Sequence, residues 1–253
     1  MIQVIIFDFD GVIVKTERLK AISYAQAAIS LLPGKFSKDQ VIEAYKDVVG
    51  RSRQDVAVSI MRRFGLEKAA SAHLAEFGVN DPWQAFVRLR LLIYEEMVSD
   101  PDVLRKSQWP HSVSLVRAMR KDGYRTALGT MSDRRHSHRI LEITGLADAF
   151  DFVATADDVK HGKPIPEIYS HISRSLDIAP SQCLVLEDSP SGIKAALTAG
   201  MACIAVTNPF TRQVVHEAGL LDAAWIVDEP ERLHNVVNRM LKEKQFVQSS
   251  TIP

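Results

Sequence analysis

Asp8 and Asp10 are the first residues in this chain whose types and spacing could do chemistry. They flank Phe9, precede Gly11, and follow the apolar run Val4-Ile5-Ile6-Phe7 directly. Residues two apart on a strand point the same way, and a glycine lets the backbone turn at once, so both carboxylates can edge one small cavity. Two carboxylates that close stay ionised only when a cation joins them; otherwise one keeps a proton. The plainer alternative is a strand closed by an Asp-Gly turn.

Three later places offer polar groups where an apolar run stops. Thr130, followed by Met131 and Ser132, presents a hydroxyl and fresh backbone N–H groups, which can hold anion oxygens or cap the next helix. Lys163 lies in Gly162-Lys163-Pro164-Ile165-Pro166, where prolines stiffen the loop and aim the lysine; Lys160 lacks that frame. A placed ammonium suits a phosphoryl group and keeps nearby carboxylates ionised. Glu187-Asp188-Ser189 follows the apolar Cys183–Leu186. Adjacent acids there are costly unless they bind something, and hard oxygen donors suit magnesium, which shares its shell with substrate phosphate.

The elements that must position these residues follow from periodicity. Val4–Phe7 reads as a buried parallel strand that leaves Asp8 at its carboxyl end, where open α/β sheets place ligands. From residue 16 to about 106 the pattern is helical throughout: a first helix capped by Thr16 and closed at Leu32-Pro33-Gly34, then Lys38 to Val49 capped by Ser37, about Gln54 to Phe64, and Pro82 to Val98. Residues 66–80 are short helical pieces. Beyond Pro110 helices and strands alternate, with strands expected at Arg125–Thr130, Phe150–Ala156, Cys183–Leu186, Ala202–Val206 and Ala224–Val227, and a last helix from Glu229 to Lys242. This predicts a Rossmann-like α/β core at 1–15 and 107–243, a parallel sheet flanked by helices. An all-helical cap (16–106) is inserted after the first strand, where it can close over the ligand edge. The polar tail 244–253 is expected to fray.

Composition narrows the setting. Among 253 residues, 31 basic side chains balance 31 acidic ones, so no global basic field points to nucleic acid or an anionic membrane. No stretch nears the roughly 18 apolar residues of a membrane span. Cys183 and Cys203 sit in apolar runs and read as buried thiols of a reducing compartment. The expectation is a cytoplasmic monomer or homodimer acting on a small molecule.

Together, Asp8-Phe-Asp10-Gly11-Val12, Thr130, Gly162-Lys163-Pro164 and Glu187-Asp188-Ser189-Pro-Ser-Gly192 resemble the four motifs of the haloacid dehalogenase superfamily, in order and at strand ends. The helical insertion resembles, more loosely, the cap of the branch holding phosphoglycolate phosphatase, sugar-phosphate phosphatases and β-phosphoglucomutase. The resemblance implies that Asp8 attacks phosphorus to form an aspartyl phosphate, while Asp10 protonates the leaving alcohol and then deprotonates water. It also implies a magnesium ion on Asp8, the Asp10 carbonyl, Asp188 and, directly or through water, Glu187. Thr130, Lys163 and the N–H groups of Gly11 and Met131 would then hold the phosphoryl oxygens. An acid at position 10 points to phosphate esters, because the family's dehalogenases need none there. Gly50-Arg51-Ser52-Arg53 resembles the mutase cap loop that touches substrate, with Arg53 at its basic position; Arg90 falls near another basic residue of that enzyme. Lys20 stands where the mutase has a histidine, which favours a phosphatase over a sugar phosphomutase. Trp83, Phe86 and Tyr94 are expected to pack helices.

Overall fold

A computed structural model describes residues 1–49 and 52–249. In chain order its elements are β1 (Val4–Phe7), α1 (Thr16–Leu31), α2 (Lys38–Lys46), α3 (Arg53–Phe64), α4 (Glu67–Ser71), α5 (Leu74–Phe77), α6 (Pro82–Ser99), α7 (Pro101–Lys106) and α8 (Pro110–Lys121). They continue as β2 (Arg125–Gly129), α9 (Arg134–Thr144), β3 (Phe152–Ala154), α10 (Glu167–Ser175), β4 (Cys183–Glu187), α11 (Pro190–Thr198), β5 (Ala202–Val206), α12 (Arg212–Ala218), β6 (Ile226–Val227) and α13 (Leu233–Ser249). The chain forms two compact units: Met1–Lys15 with everything from Leu104 onward, and Thr16–Val103.

In the first unit the six strands form one parallel sheet in the order β3-β2-β1-β4-β5-β6, the doubly wound α/β fold that alternating strands and helices predict. β1 lies at the centre, with Phe7 level with Leu128 of β2 and Leu186 of β4. Strands buried on both faces need apolar side chains throughout, which is why β1 and β4 carry no polar residue before their carboxyl ends. Val4, Ile6, Ala127, Val185, Ile168, Tyr169, Ile172, Ile193 and Ala196 share one core cluster. Cys183 and Cys203 are buried and free.

The second unit contains helices α1 to α6 and no strand among its described residues. Ser37 and Gln40 make the reciprocal hydrogen bonds of a capping box before α2, and Gly65, at φ +65°, ends α3. The apolar faces of α1 and α6 meet at Tyr24 and Phe86, whose rings are 5.7 Å apart.

Several boundaries differ from those read in the sequence. α2 stops at Lys46, not Val49, and Thr16 is the first residue of α1, its buried hydroxyl lacking a hydrogen-bond partner. The strands at Phe150–Ala156 and Ala224–Val227 shorten to β3 and β6, because 3₁₀ turns occupy Ala156–Asp158 and Ala223–Trp225. α13 continues past Lys242 to Ser249, so the tail expected from Lys244 is helical that far; residues 250–253 lie outside the described residues. No helix among the described residues is long and apolar enough to cross a membrane.

Candidate active site

The carboxyl ends of β1, β2 and β4 converge on one ammonium group. Lys163 Nζ donates to Asp8 Oδ1 at 2.6 Å, to Glu187 Oε1 at 2.6 Å and to the Gly129 carbonyl at 3.1 Å. The lysine side chain is only 7% exposed. An ammonium in such a place is tolerable because two carboxylates surround it, and one placed residue ties three neighbouring strands together. Burial alone would push the lysine pKa down, but the charges of Asp8 and Glu187 outweigh burial and hold it above its ordinary value. For Asp8, burial dominates and pushes the carboxyl up, to about 7, against the pull of Lys163.

Asp188, next to Glu187, accepts from the Asn208 side-chain amide at 3.0 Å on Oδ2. Carboxylate oxygens of Asp8, Glu187 and Asp188 all lie within 4.8 Å of one another, and all three residues are buried. Three buried hard-oxygen groups at this spacing are a donor set that fits a divalent cation. Asp10 is half-buried and accepts from the Ser132 hydroxyl at 2.7 Å. Thr130 is buried; its hydroxyl oxygen accepts from the Ser132 N–H at 3.0 Å, which leaves the hydroxyl proton to donate.

Glycines make the approach possible. Gly11 has φ +86°, and a Cβ there would lie 1.9 Å from Asp188 Oδ2. Its N–H donates to the Val14 carbonyl at 2.8 Å, and the missing side chain is what leaves room for the Asp188 carboxyl. Gly192, in the first turn of α11, would put a Cβ 1.9 Å from the Glu187 carboxyl. Gly192→Ala is therefore expected to lower stability by about 1–3 kcal/mol, the usual cost of overpacking, and to lower turnover by moving Glu187. Thermal unfolding read alongside steady-state rates checks both effects.

The sequence motifs thus meet at one place: Asp8, Asp10, Thr130, Lys163, Glu187 and Asp188. Met131 is exposed and lies beside Gly162. The three cap residues singled out in the sequence all belong to the second unit. Lys20 donates to Glu17 at 2.7 Å, and Glu17 also accepts from the Tyr45 hydroxyl at 2.7 Å. Arg90 is no solvated surface arginine: it is 6% exposed, its guanidinium stands 5.0 Å from the Tyr24 ring and 4.8 Å from that of Tyr94, and its Nε has no hydrogen-bond partner. Burial raises the Tyr24 pKa, and the charges of Arg90, Arg53 and Lys20 oppose the rise, which places all three cations near one phenol. Gly50 and Arg51 lie outside the described residues.

Sequence reasoning missed Ser132, Tyr169 and Asn208. Asn208 follows β5 and carries the same signal as the others, a polar residue just beyond a strand's carboxyl end. Tyr169 carries none: at a helical apolar position it reads as core, and its ring is core, but its hydroxyl donates to Glu187 Oε1 at 2.6 Å.

Fold and site define a doubly wound α/β enzyme whose chemistry lies at the carboxyl edge of its central strands. The sequence model of the haloacid dehalogenase-like hydrolases matches residues 2–200, and the chain belongs to that family of hydrolases. It is 27% identical over 244 residues to the phosphorylated carbohydrates phosphatase of Thermotoga maritima, an alignment covering 94% of this chain and 100% of the other. Over 80 residues it is 40% identical to the fructose-1-phosphate phosphatase YqaB of Escherichia coli, 32% of this chain and 43% of the other. The β-phosphoglucomutase structure from Clostridium difficile shares the fold, with a TM-score of 0.64, 21% identity, and 95% and 99% of the two chains covered.

Proposed function

We propose that this protein is a magnesium-dependent phosphatase that hydrolyses a small phosphorylated metabolite, of the sugar-phosphate or phosphoglycolate type, through an aspartyl phosphate on Asp8. The observation that carries this reading is the Asp8 carboxylate, buried at the end of the central strand, paired with Lys163 and within 4.8 Å of two further acids. An anionic nucleophile can approach an anionic phosphate only where positive charge offsets the repulsion. Asp8, Asp188 and the Asp10 carbonyl would hold magnesium, with Glu187 behind them, and the ion would neutralise charge on the phosphoryl oxygens.

The chain's own groups then divide the work. Asp8 attacks phosphorus in line with the leaving oxygen. Asp10, kept in place by Ser132, hands a proton to that oxygen and later takes one from water. The Thr130 proton and the Met131 N–H hold phosphoryl oxygens, and Lys163 joins them by exchanging its longest bond, to Gly129, for a phosphoryl oxygen. Lys20, Arg53 and Arg90 are assigned to the non-reacting part of the substrate, since an arginine can grip a second anionic group bidentately.

The relatives named phosphatases support hydrolysis, and the competing reading is a sugar phosphomutase. Lys20, occupied with Glu17 where the mutase motif has a histidine, favours the hydrolase. A phosphate-release screen over sugar phosphates, phosphoglycolate and nucleotides, with and without magnesium, tests this. Free phosphate should appear from a small phosphorylated metabolite only when magnesium is present. β-Glucose 1-phosphate converted to its 6-phosphate without release would establish the mutase instead.

A further inference from the structure

Lys163 and Glu187 share a buried partner that no motif contains. The Tyr169 hydroxyl donates to Glu187 Oε1 at 2.6 Å, the same oxygen that accepts Lys163 at 2.6 Å, while the Tyr169 ring lies 4.9 Å from the Lys163 ammonium. Tyr169 is fully buried. The other Glu187 oxygen accepts from the N–H of Asp188, the N–H of Ser189 and the Ser189 hydroxyl. A carboxylate offers about four lone-pair sites, so five donors leave Glu187 saturated and fixed.

We propose that Tyr169 is a positioning residue, acting through Glu187 Oε1 to set how Lys163 divides its charge between Glu187 and Asp8. This rests on the phosphatase reading only for its kinetic consequence. With the hydroxyl present, the charge on Oε1 is partly met by the phenol, and Lys163 stays equally near both carboxylates. Without the hydroxyl, Oε1 has the ammonium as its one donor among these groups and draws it away from Asp8. Asp8 would then meet an incoming phosphate dianion with less of its charge offset, which slows the chemical step and leaves substrate binding by other groups unchanged.

Tyr169→Phe keeps the ring, the packing and the ring's contact with the ammonium, and removes only the hydroxyl. The expected result is a kcat reduced about tenfold, the worth of one hydrogen bond to a charged group, with KM within about twofold. The lysine ¹⁵Nζ resonance of Lys163, assigned by its loss in Lys163→Arg, should shift in Tyr169→Phe. In a Glu187→Gln background the same substitution should change kcat by less than about twofold, because its route of action is gone. Ile172→Val, equally buried on the same helix, should lower thermal stability and leave kcat unchanged, which is the signature of packing alone. An unmoved Lys163 resonance with kcat intact, or effects that simply add in the double variant, would overturn the proposal. A shifted resonance in a protein that hydrolyses no phosphate ester would uphold the positioning and reject the phosphatase reading.

Discussion

Asp8→Asn should reduce turnover by on the order of 10³–10⁶-fold, the range seen when a covalent nucleophile is removed. The amide has nearly the same shape as the carboxylate, so Lys163 keeps Glu187 and Gly129 and the fold should persist. An amide is a poor nucleophile toward phosphorus, however, and it brings no negative charge to face the Lys163 ammonium. Circular dichroism unchanged from the parent, alongside single-turnover rates at the detection limit, is the expected pair of results. If Asp8→Asn kept more than a few per cent of parental kcat, a covalent route through Asp8 could not stand.

Lys163→Ala should be the most damaging change to the folded state itself. It leaves the buried Asp8 and Glu187 carboxylates without the charge that both now face. Breaking a buried pair from one side costs about 3–5 kcal/mol. The pH dependence follows from the sign of the Asp8 shift. Its pKa is already raised, from 3.8 to about 7, by burial against the opposing lysine, and removing the lysine raises it further. An acid whose folded pKa lies above its unfolded value binds more protons folded than unfolded, so stability falls as pH rises through that window. Below pH 7 Asp8 is protonated in both folded proteins, so the metal-free variant's deficit relative to the parent should open as pH rises above 7 and shrink as pH falls back to it. Urea unfolding at several pH values measures this; a deficit that does not vary with pH would mean the carboxylates are not the source of the loss. Activity should be lost at all pH values, since in the proposed mechanism the ammonium also offsets charge at the reacting phosphate.

Much of the core was legible because its signals are local. Val4–Phe7 and Cys183–Leu186 are short, apolar and followed at once by acids, so both the strands and the edge where those acids stand could be read from the sequence. Lys163 could be picked over Lys160 from its prolines. What stayed hidden depends on three-dimensional closeness. Nothing local distinguishes Tyr169 from an apolar core position, because its use is a single atom at the far end of a packed ring. Gly11 was read for its backbone N–H; that a Cβ there would strike Asp188 depends on a residue far away in the chain and could not be seen in the sequence. Arg90 was read as a substrate contact on the long helix; that Tyr24, from another helix, and Tyr94, from its own, enclose it could not be seen in the sequence. The short ends of β3 and β6 went unseen because a 3₁₀ turn and a strand end use the same polar and small residues.

The most direct measurement is acid quenching of the magnesium-loaded protein during turnover of a phosphate ester, followed by peptide mapping by mass spectrometry. One acid-stable, base-labile phosphoryl group should appear on the peptide bearing Asp8, and the Asp8→Asn protein should carry none. Steady release of phosphate with no phosphoryl group on that peptide, or with the group on a different residue, would contradict the account at its centre.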